Sequence, residues 1–213
     1  QNCCGLASFA AGSRQEAKEL ARKNIAAFTG NNLPILTSCA SCYSHLRSYP
    51  ALLADDPQWR KQAEDFSARV REFSRFFLDA GLVSASGTSA EKVTDLSRIF
   101  YHDPCHLRFG PEKTMDQPRR LLTNTIGVPP LDLANGPHCC GQGGLFHIAH
   151  PHLSQEISQG AVQQLLELSA SHVVTTCSGC LLQWQQGLRR AGFPGRTSHL
   201  AVLLAGIIRG NNE

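Results

Sequence analysis

Apolar side chains return every three or four residues over several stretches of this chain, the spacing of a helix with one buried face. Over 13–28 that face is Ala17, Leu20, Ala21 and Ile25, with Ser13 and Glu16 spaced as a capping box and Gly30 just past the end. Over 154–169 it is Ile157, Ala161, Leu165 and Leu168. Shorter helices are expected over 43–53, 118–125, 181–191 and 197–209. The longest periodic stretch, 57–80, carries Trp59, Ala63, Phe66, Val70, Phe73 and Phe77, and reads as one unbroken packing helix. Short β-rich runs, 35–38 and 173–176, follow the first two helices, and 98–102 reads as a strand entering Asp103-Pro104-Cys105. Strands alternating with helices predict an α/β fold with mostly parallel strands. Ligands of such sheets sit beyond the carboxyl ends of the strands.

Those ends repeat. Cys3-Cys4-Gly5 returns as Cys139-Cys140-Gly141, and Cys39-Ala40-Ser41-Cys42 returns at nearly the same offset as Cys177-Ser178-Gly179-Cys180. The lead-ins Ile35-Leu36-Thr37-Ser38 and Val173-Val174-Thr175-Thr176 match as well. Two landmarks with nearly one offset predict two pseudo-symmetric α/β halves whose cysteine loops face a shared region. Small polar residues around 83–90 mark the join, giving a first half 1–84, a linker 85–92 and a second half 93–213.

Composition narrows the function. With 42% apolar and 17% charged residues in 213, the chain is globular, and a net charge of +3 is too small and scattered to argue for nucleic acid. Its longest apolar run, Leu200 to Ile208, is well short of the roughly 20 residues that cross a bilayer. No secretory signal is visible, and a start at Gln1 rather than Met reads as a cut end. Nine cysteines are an odd number without an export signal, which favours metal or redox chemistry in the cytoplasm over a disulfide framework.

The second half carries three cysteine landmarks well apart in the chain: Cys105 alone, the pair Cys139-Cys140, and Cys177-x-x-Cys180. The first carries two at matching spacing, Cys3-Cys4 and Cys39-x-x-Cys42. By analogy a lone cysteine belongs some way before Cys3. Five thiolates from three loops are one more than a tetrahedral zinc or a cubane [4Fe–4S] cluster takes. Adjacent cysteines suit a larger cluster, and Gly5 and Gly141 let the chain approach it. Zinc at one cysteine set stays an alternative. The sulfurs of Cys105, Cys139, Cys140, Cys177 and Cys180 are expected to converge in one pocket. His102, His106 and His138 flank these cysteines as candidate hydrogen-bond donors to sulfur, or as ordinary loop histidines. The other histidines, Asp55-Asp56, Arg119-Arg120 and Arg189-Arg190 read as packing residues, a solvated turn and helix-end charges.

The doubled Cys…Cys-Cys-Gly…Cys-x-x-Cys pattern resembles the cysteine-rich CCG-domain family. That family includes iron–sulfur subunits of glycolate oxidase, of lactate-utilisation systems, of anaerobic glycerol-3-phosphate dehydrogenase and of heterodisulfide reductase. Tyr101-His102-Asp103-Pro104-Cys105-His106-Leu107 and His138-Cys139-Cys140-Gly141-Gln142-Gly143-Gly144 are similar to its second-half signatures. Tyr49-Pro50 and Asp55-Asp56-Pro57-Gln58-Trp59 resemble the stretch between halves in lactate and glycolate members. The resemblance implies a non-cubane [4Fe–4S] cluster on Cys105, Cys139, Cys140, Cys177 and Cys180, and a second centre to which Cys3, Cys4, Cys39 and Cys42 contribute. It implies an electron-transfer subunit working with a flavoprotein dehydrogenase subunit and other iron–sulfur subunits, passing electrons to a quinone or another acceptor, with a peripheral membrane association. A disulfide reductase acting at the cluster and a zinc-containing assembly module are the alternatives. The chain departs from the family in lacking the first set's leading cysteine, and it carries no ferredoxin-type cysteine run.

Overall fold

The computed structural model describes residues 1–82, 98–110, 112 and 116–210, with backbone only for 209 and 210; the expected linker lies outside them. Among the described residues five short strands, all paired in parallel, form two sheets. In the first, β1 (Ile35–Thr37) pairs with β2 (Val70–Glu72), placing Ile35 opposite Val70 and Thr37 opposite Glu72. In the second, β4 (His172–Thr175) lies between β3 (Ile99–His102) and β5 (Arg196–His199).

The two sheets follow one grammar, as the repeat predicts. A short helix, α1 (Leu6–Ala10) or α9 (Phe146–Ala149), and then a long one, α2 (Arg14–Ala27) or α10 (Pro151–Glu167), precede β1 or β4. A Cys-x-x-Cys and a helix follow at once: α3 (Ala40–Arg47) after β1 and α11 (Ser178–Arg190) after β4. The next strand, β2 or β5, runs straight into a further helix, α6 (Phe73–Asp79) or α12 (Leu200–Gly210). Strand β3 has no counterpart among the described residues of the first half. Parallel strands need crossovers, and the helices supply them while covering both faces.

The halves share their interior. One hydrophobic cluster contains Ala17, Ile25, Tyr49 and Phe66 from the first half and Phe100, Val173, Trp184 and Leu188 from the second. A second cluster joins Phe73 to Ile99, Tyr101, Leu121, Leu122 and Val174. Among the described residues no helix is long and apolar enough to cross a membrane.

Several elements differ from the sequence expectation. The stretch 57–80 is not one helix: α5 (Pro57–Arg69) and α6 are separated by β2. Val70 and Phe73 satisfy a helical period, but pairing with β1 draws Val70–Glu72 into extended backbone. The aromatic stripe does pack, with Phe66 and Val70 in one cluster and Phe73 and Phe77 at the other. The helix expected over 43–53 begins earlier and breaks at Ser48, giving α3 and α4 (Tyr49–Leu52), because Pro50 has no N–H to continue the ladder. The segment expected as helix from 197 opens with β5, an edge strand with little apolar pattern to announce it. Ser13 precedes α2, but its side chain makes no capping bond.

Ion pairs tie down residues that read as solvated. Asp55 and Asp56 pair with Lys18 and Arg22 of α2, each at 2.6 Å. Arg119 is not a helix-end charge: it lies within α8 (Asp116–Ile126), grips buried Asp103 through Nε and Nη2, and reaches Asp132 at 2.6 Å. That grip anchors Asp103, which lies just before Cys105.

Candidate metal centre

Each Cys-x-x-Cys straddles the start of a helix. Cys39 and Cys177 are the N-cap residues of α3 and α11, in extended backbone, and Cys42 and Cys180 lie in the first turns. Helix starts present unpaired backbone N–H groups, which favour negative charge there. Cys105 opens the short helix α7 (Cys105–Arg108) at the end of β3. Cys139 and Cys140 lie on a loop that turns at Gly141, whose φ is +87°. A Cβ at Gly141 would sit 2.5 Å from the Ser154 carbonyl oxygen, so only glycine permits this approach.

A cavity of about 320 Å³ is lined by Cys105, Cys139, Cys140, Cys177 and Cys180 together. His102 and His106 also line it, and Leu6 and Ser41 reach it from the first half. At its floor the ligand atoms of His102, Cys140 and Cys180 lie within 4.8 Å of one another, and all three residues are buried. The His102 ring packs against Trp184 at 5.5 Å. His138 does not line the cavity; its Nε2 is buried and without a partner among the described residues.

A smaller cavity of about 250 Å³ is lined by Cys3, Cys4 and Cys42, with Asn24 and Thr37. Cys39 is absent from its wall. Its thiol neighbours that of Cys177 instead, which helps hold it low. The backbone supports this meeting, for the Ala40 N–H donates to the Thr176 carbonyl at 2.8 Å. Thiol neighbours therefore run in one line from Cys4 through Cys42, Cys39, Cys177, Cys180 and Cys140 to Cys139.

Along this line protons are shared unevenly. Hydrogen bonds from Cys139 and then Cys180 hold Cys140 far below an ordinary thiol, with His102 adding to them. Its donors are pushed up in turn, Cys180 by its bonds to Cys140 and Cys177, and Cys139 by its bond to Cys140 and by burial. Burial raises Cys105, and the neighbouring Cys140 adds to the rise. Cys39 is held low by Cys177 and Cys42, while Cys42 is pushed up by its bonds to Cys39 and Cys4. The bond to Cys42 brings Cys4 down to about 7. Of the thiols in this line, Cys39 and Cys140 are the two held lowest.

Soft sulfur donors with two imidazoles, and no carboxylate among the described residues of the cavity wall, suit a thiophilic metal. Five sulfurs, with the His102 nitrogen beside two of them, exceed what one tetrahedral ion takes up. The residues fit an iron–sulfur group, and they also contain a subset that fits zinc.

The sequence profile of the cysteine-rich CCG domain matches residues 1–47 and 99–185. The chain belongs to the CCG family. Each matched stretch contains a Cys-Cys-Gly turn and a Cys-x-x-Cys, and the second holds all five cysteines of the larger cavity. Among curated CCG relatives, the probable glycolate oxidase iron–sulfur subunit of Bacillus subtilis is 33% identical over 209 residues, covering 96% of this chain and 46% of that protein. Lactate utilization protein A of Geobacillus kaustophilus is 31% identical over 206 residues, covering 96% of this chain and 82% of that protein. An uncharacterized Escherichia coli protein, YkgE, is 31% identical over a similar span. The chain thus spans about half of the first relative's length and most of the second's.

Sequence reasoning missed the buried polar side chains around the Cys-Cys turns: Asn24, Tyr49, Ser154 and Gln183. Asn24 sits beside Ile25 on an otherwise apolar helix face, and that mismatch is a signal readable from the sequence alone.

Proposed function

We propose that this chain is an iron–sulfur electron carrier of a lactate or glycolate oxidation system. It takes electrons from a flavoprotein dehydrogenase subunit and passes them, with other iron–sulfur subunits, towards a quinone or another acceptor. The observation that carries this reading is the cavity lined by five thiols drawn from three separate loops. The names of the relatives supply the oxidation system. We read 1–84 and 93–213 as two cysteine domains in a cytoplasmic protein with a peripheral contact at the inner face of the membrane.

In this reading Cys105, Cys139, Cys140, Cys177 and Cys180 hold a [4Fe–4S] group of non-cubane form, since a fifth sulfur is one more than a cubane takes. Cys3, Cys4, Cys39 and Cys42 contribute to a second. Such a group, when bound, supplies one-electron transfer. The protein's own residues do the rest. His102 lies beside Cys140 as a donor to its sulfur, the helix starts favour negative charge near Cys39 and Cys177, and the buried floor at Cys140 and Cys180 excludes water. Cys39 and Cys177 bring the two sets into contact.

A second reading is a disulfide reductase of heterodisulfide-reductase type. The exposure of Cys139, beside the glycine loop at the cavity wall, favours it because a disulfide has a way in. Anaerobic iron and sulfide quantification with EPR tests the metal centre: about four irons with matching sulfide per complete thiol set are expected. Stoichiometric zinc without sulfide would overturn it. Capture of a flavoprotein subunit and electron flow from it separates the carrier from the reductase.

A further inference from the structure

The first cysteine pair is held by its backbone. Asn24 of α2 and Tyr49 of α4 are 2% and 0% exposed. Asn24 Nδ2 donates to the Cys3 carbonyl at 2.9 Å and to the Tyr49 hydroxyl at 3.1 Å, while its Oδ1 accepts from the Asn2 N–H at 2.8 Å. The Tyr49 hydroxyl donates onward to the Cys4 carbonyl at 2.7 Å. Its ring cannot swing away, being stacked on Phe66 at 5.4 Å and met edge-on by His45 at 5.7 Å. Two consecutive carbonyls are pinned by one linked, fully buried pair. Both N–H groups of the amide and the phenol proton are used in that linkage, and buried polar groups of this kind are costly unless satisfied.

We propose that Asn24 and Tyr49 are positioning residues for the first thiol set. They fix the Cys3-Cys4 peptide so that its thiols meet Cys42 in a site formed before metal arrives. This deepens the metal-centre reading and rests on it for the identity of the group that fills the site.

The second half uses a different device. At the offsets of the repeat, Asn24 corresponds to Gly160 and Tyr49 to Gly187. A Cβ at Gly187 would lie 2.9 Å from Ser158 Oγ and from Val162 Cγ2, so α10 and α11 close over the space that Tyr49 fills in the first half. The second pair is held from earlier turns of the same two helices. Ser154 Oγ donates to the Gly141 carbonyl at 2.8 Å, and Gln183 Nε2 donates to Ser154 Oγ at 3.2 Å. Loss of one clamp therefore stays with its own thiol set.

The test is Tyr49→Phe, which keeps the ring and removes the hydroxyl. In the metal-free, reduced chain, amide exchange over 2–12 is expected to quicken about five-fold, the scale of one hydrogen bond, while exchange over 139–150 keeps its rate. In the iron- and sulfide-reconstituted chain, the EPR signal and potential of the first centre shift and those of the second stay. Ser154→Ala is expected to give the reverse pattern. Unchanged exchange at both turns, or equal quickening at both, overturns the proposal. Should Tyr49→Phe fail to fold, Asn24→Ser is read by the same criteria. The exchange measurement needs no metal, so its outcome is independent of whether the thiols hold iron–sulfur or zinc.

Discussion

Cys39 and Cys177 stand at equivalent strand ends of the two halves, brought side by side by the Ala40 N–H, which donates to the Thr176 carbonyl, and Cys177 helps hold the Cys39 thiol low. Neither thiol can be altered without its neighbour sensing the change. In the reconstituted protein, Cys39→Ala is expected to change the EPR signals of both centres, and Cys3→Ala that of the first alone. An untouched second signal in Cys39→Ala would show that the contact carries no coupling.

The His102 ring nitrogen lies within 4.8 Å of the Cys140 sulfur, in a buried position against Trp184 from which it can serve as a donor. A donor at sulfur favours the more negative, reduced state of an iron–sulfur group. His102→Leu is expected to lower the potential of the second centre by on the order of 50 mV, about tenfold in a one-electron equilibrium. Redox titration followed by EPR checks the direction; a rise or no change counts against the role.

Glu72 gives the fold a pH dependence. Its carboxyl is fully buried at the start of α6, accepting from the Ser74 and Arg75 N–H groups, and burial raises it from 4.5 to about 7 despite those bonds. The Tyr101 phenol is its titratable neighbour across the sheet join, and the Arg75 guanidinium is engaged with Glu112 and Asp79. Below about pH 4.5 the carboxyl is protonated whether the chain is folded or not, and it leaves stability untouched. As pH rises to about 7 only the unfolded chain ionises, so stability falls by about 3 kcal/mol and then levels off. Urea unfolding under reductant at pH 5 and pH 8 measures the fall, and Glu72→Gln is expected to remove most of it.

Two glycines separate strain from crowding. Gly12 and Gly141 both have positive φ, but a Cβ meets nothing within 4 Å at Gly12 and lies 2.5 Å from backbone oxygen at Gly141. Gly12→Ala is expected to cost about 1 kcal/mol, the left-handed penalty alone. Gly141→Ala should cost about 3 kcal/mol or more, since the Cys139-Cys140 turn must move off α10. Equal melting shifts in the two variants would mean that the turn yields freely.

The strand ends were readable because their signal is local. The β-rich lead-ins of Cys39 and Cys177 announce β1 and β4, and the doubled cysteine pattern announces the family. Strand β2 was hidden because Val70 and Phe73 suit a helix equally well, and only the partner strand decides between them. Strand β5 was hidden because an edge strand such as Arg-Thr-Ser-His buries little. Arg119 looked like a helix-end charge because its partner, Asp103, arrives from another element. The holders of the cysteine turns escaped the repeat altogether: where one half has Asn24 and Tyr49, the other has Gly160 and Gly187, and the same task has moved along the helices.

A single hydrophobic cluster takes side chains from both halves. Global unfolding therefore opens both thiol sets at once, whereas loosening of one turn that leaves this cluster packed stays local. Any metal captured at one end stabilises the fold that shapes the opposite end, so occupancy of the first site protects its twin against unfolding. Resistance to heat or denaturant gained at an empty site from its filled neighbour is what a shared interior of this kind produces.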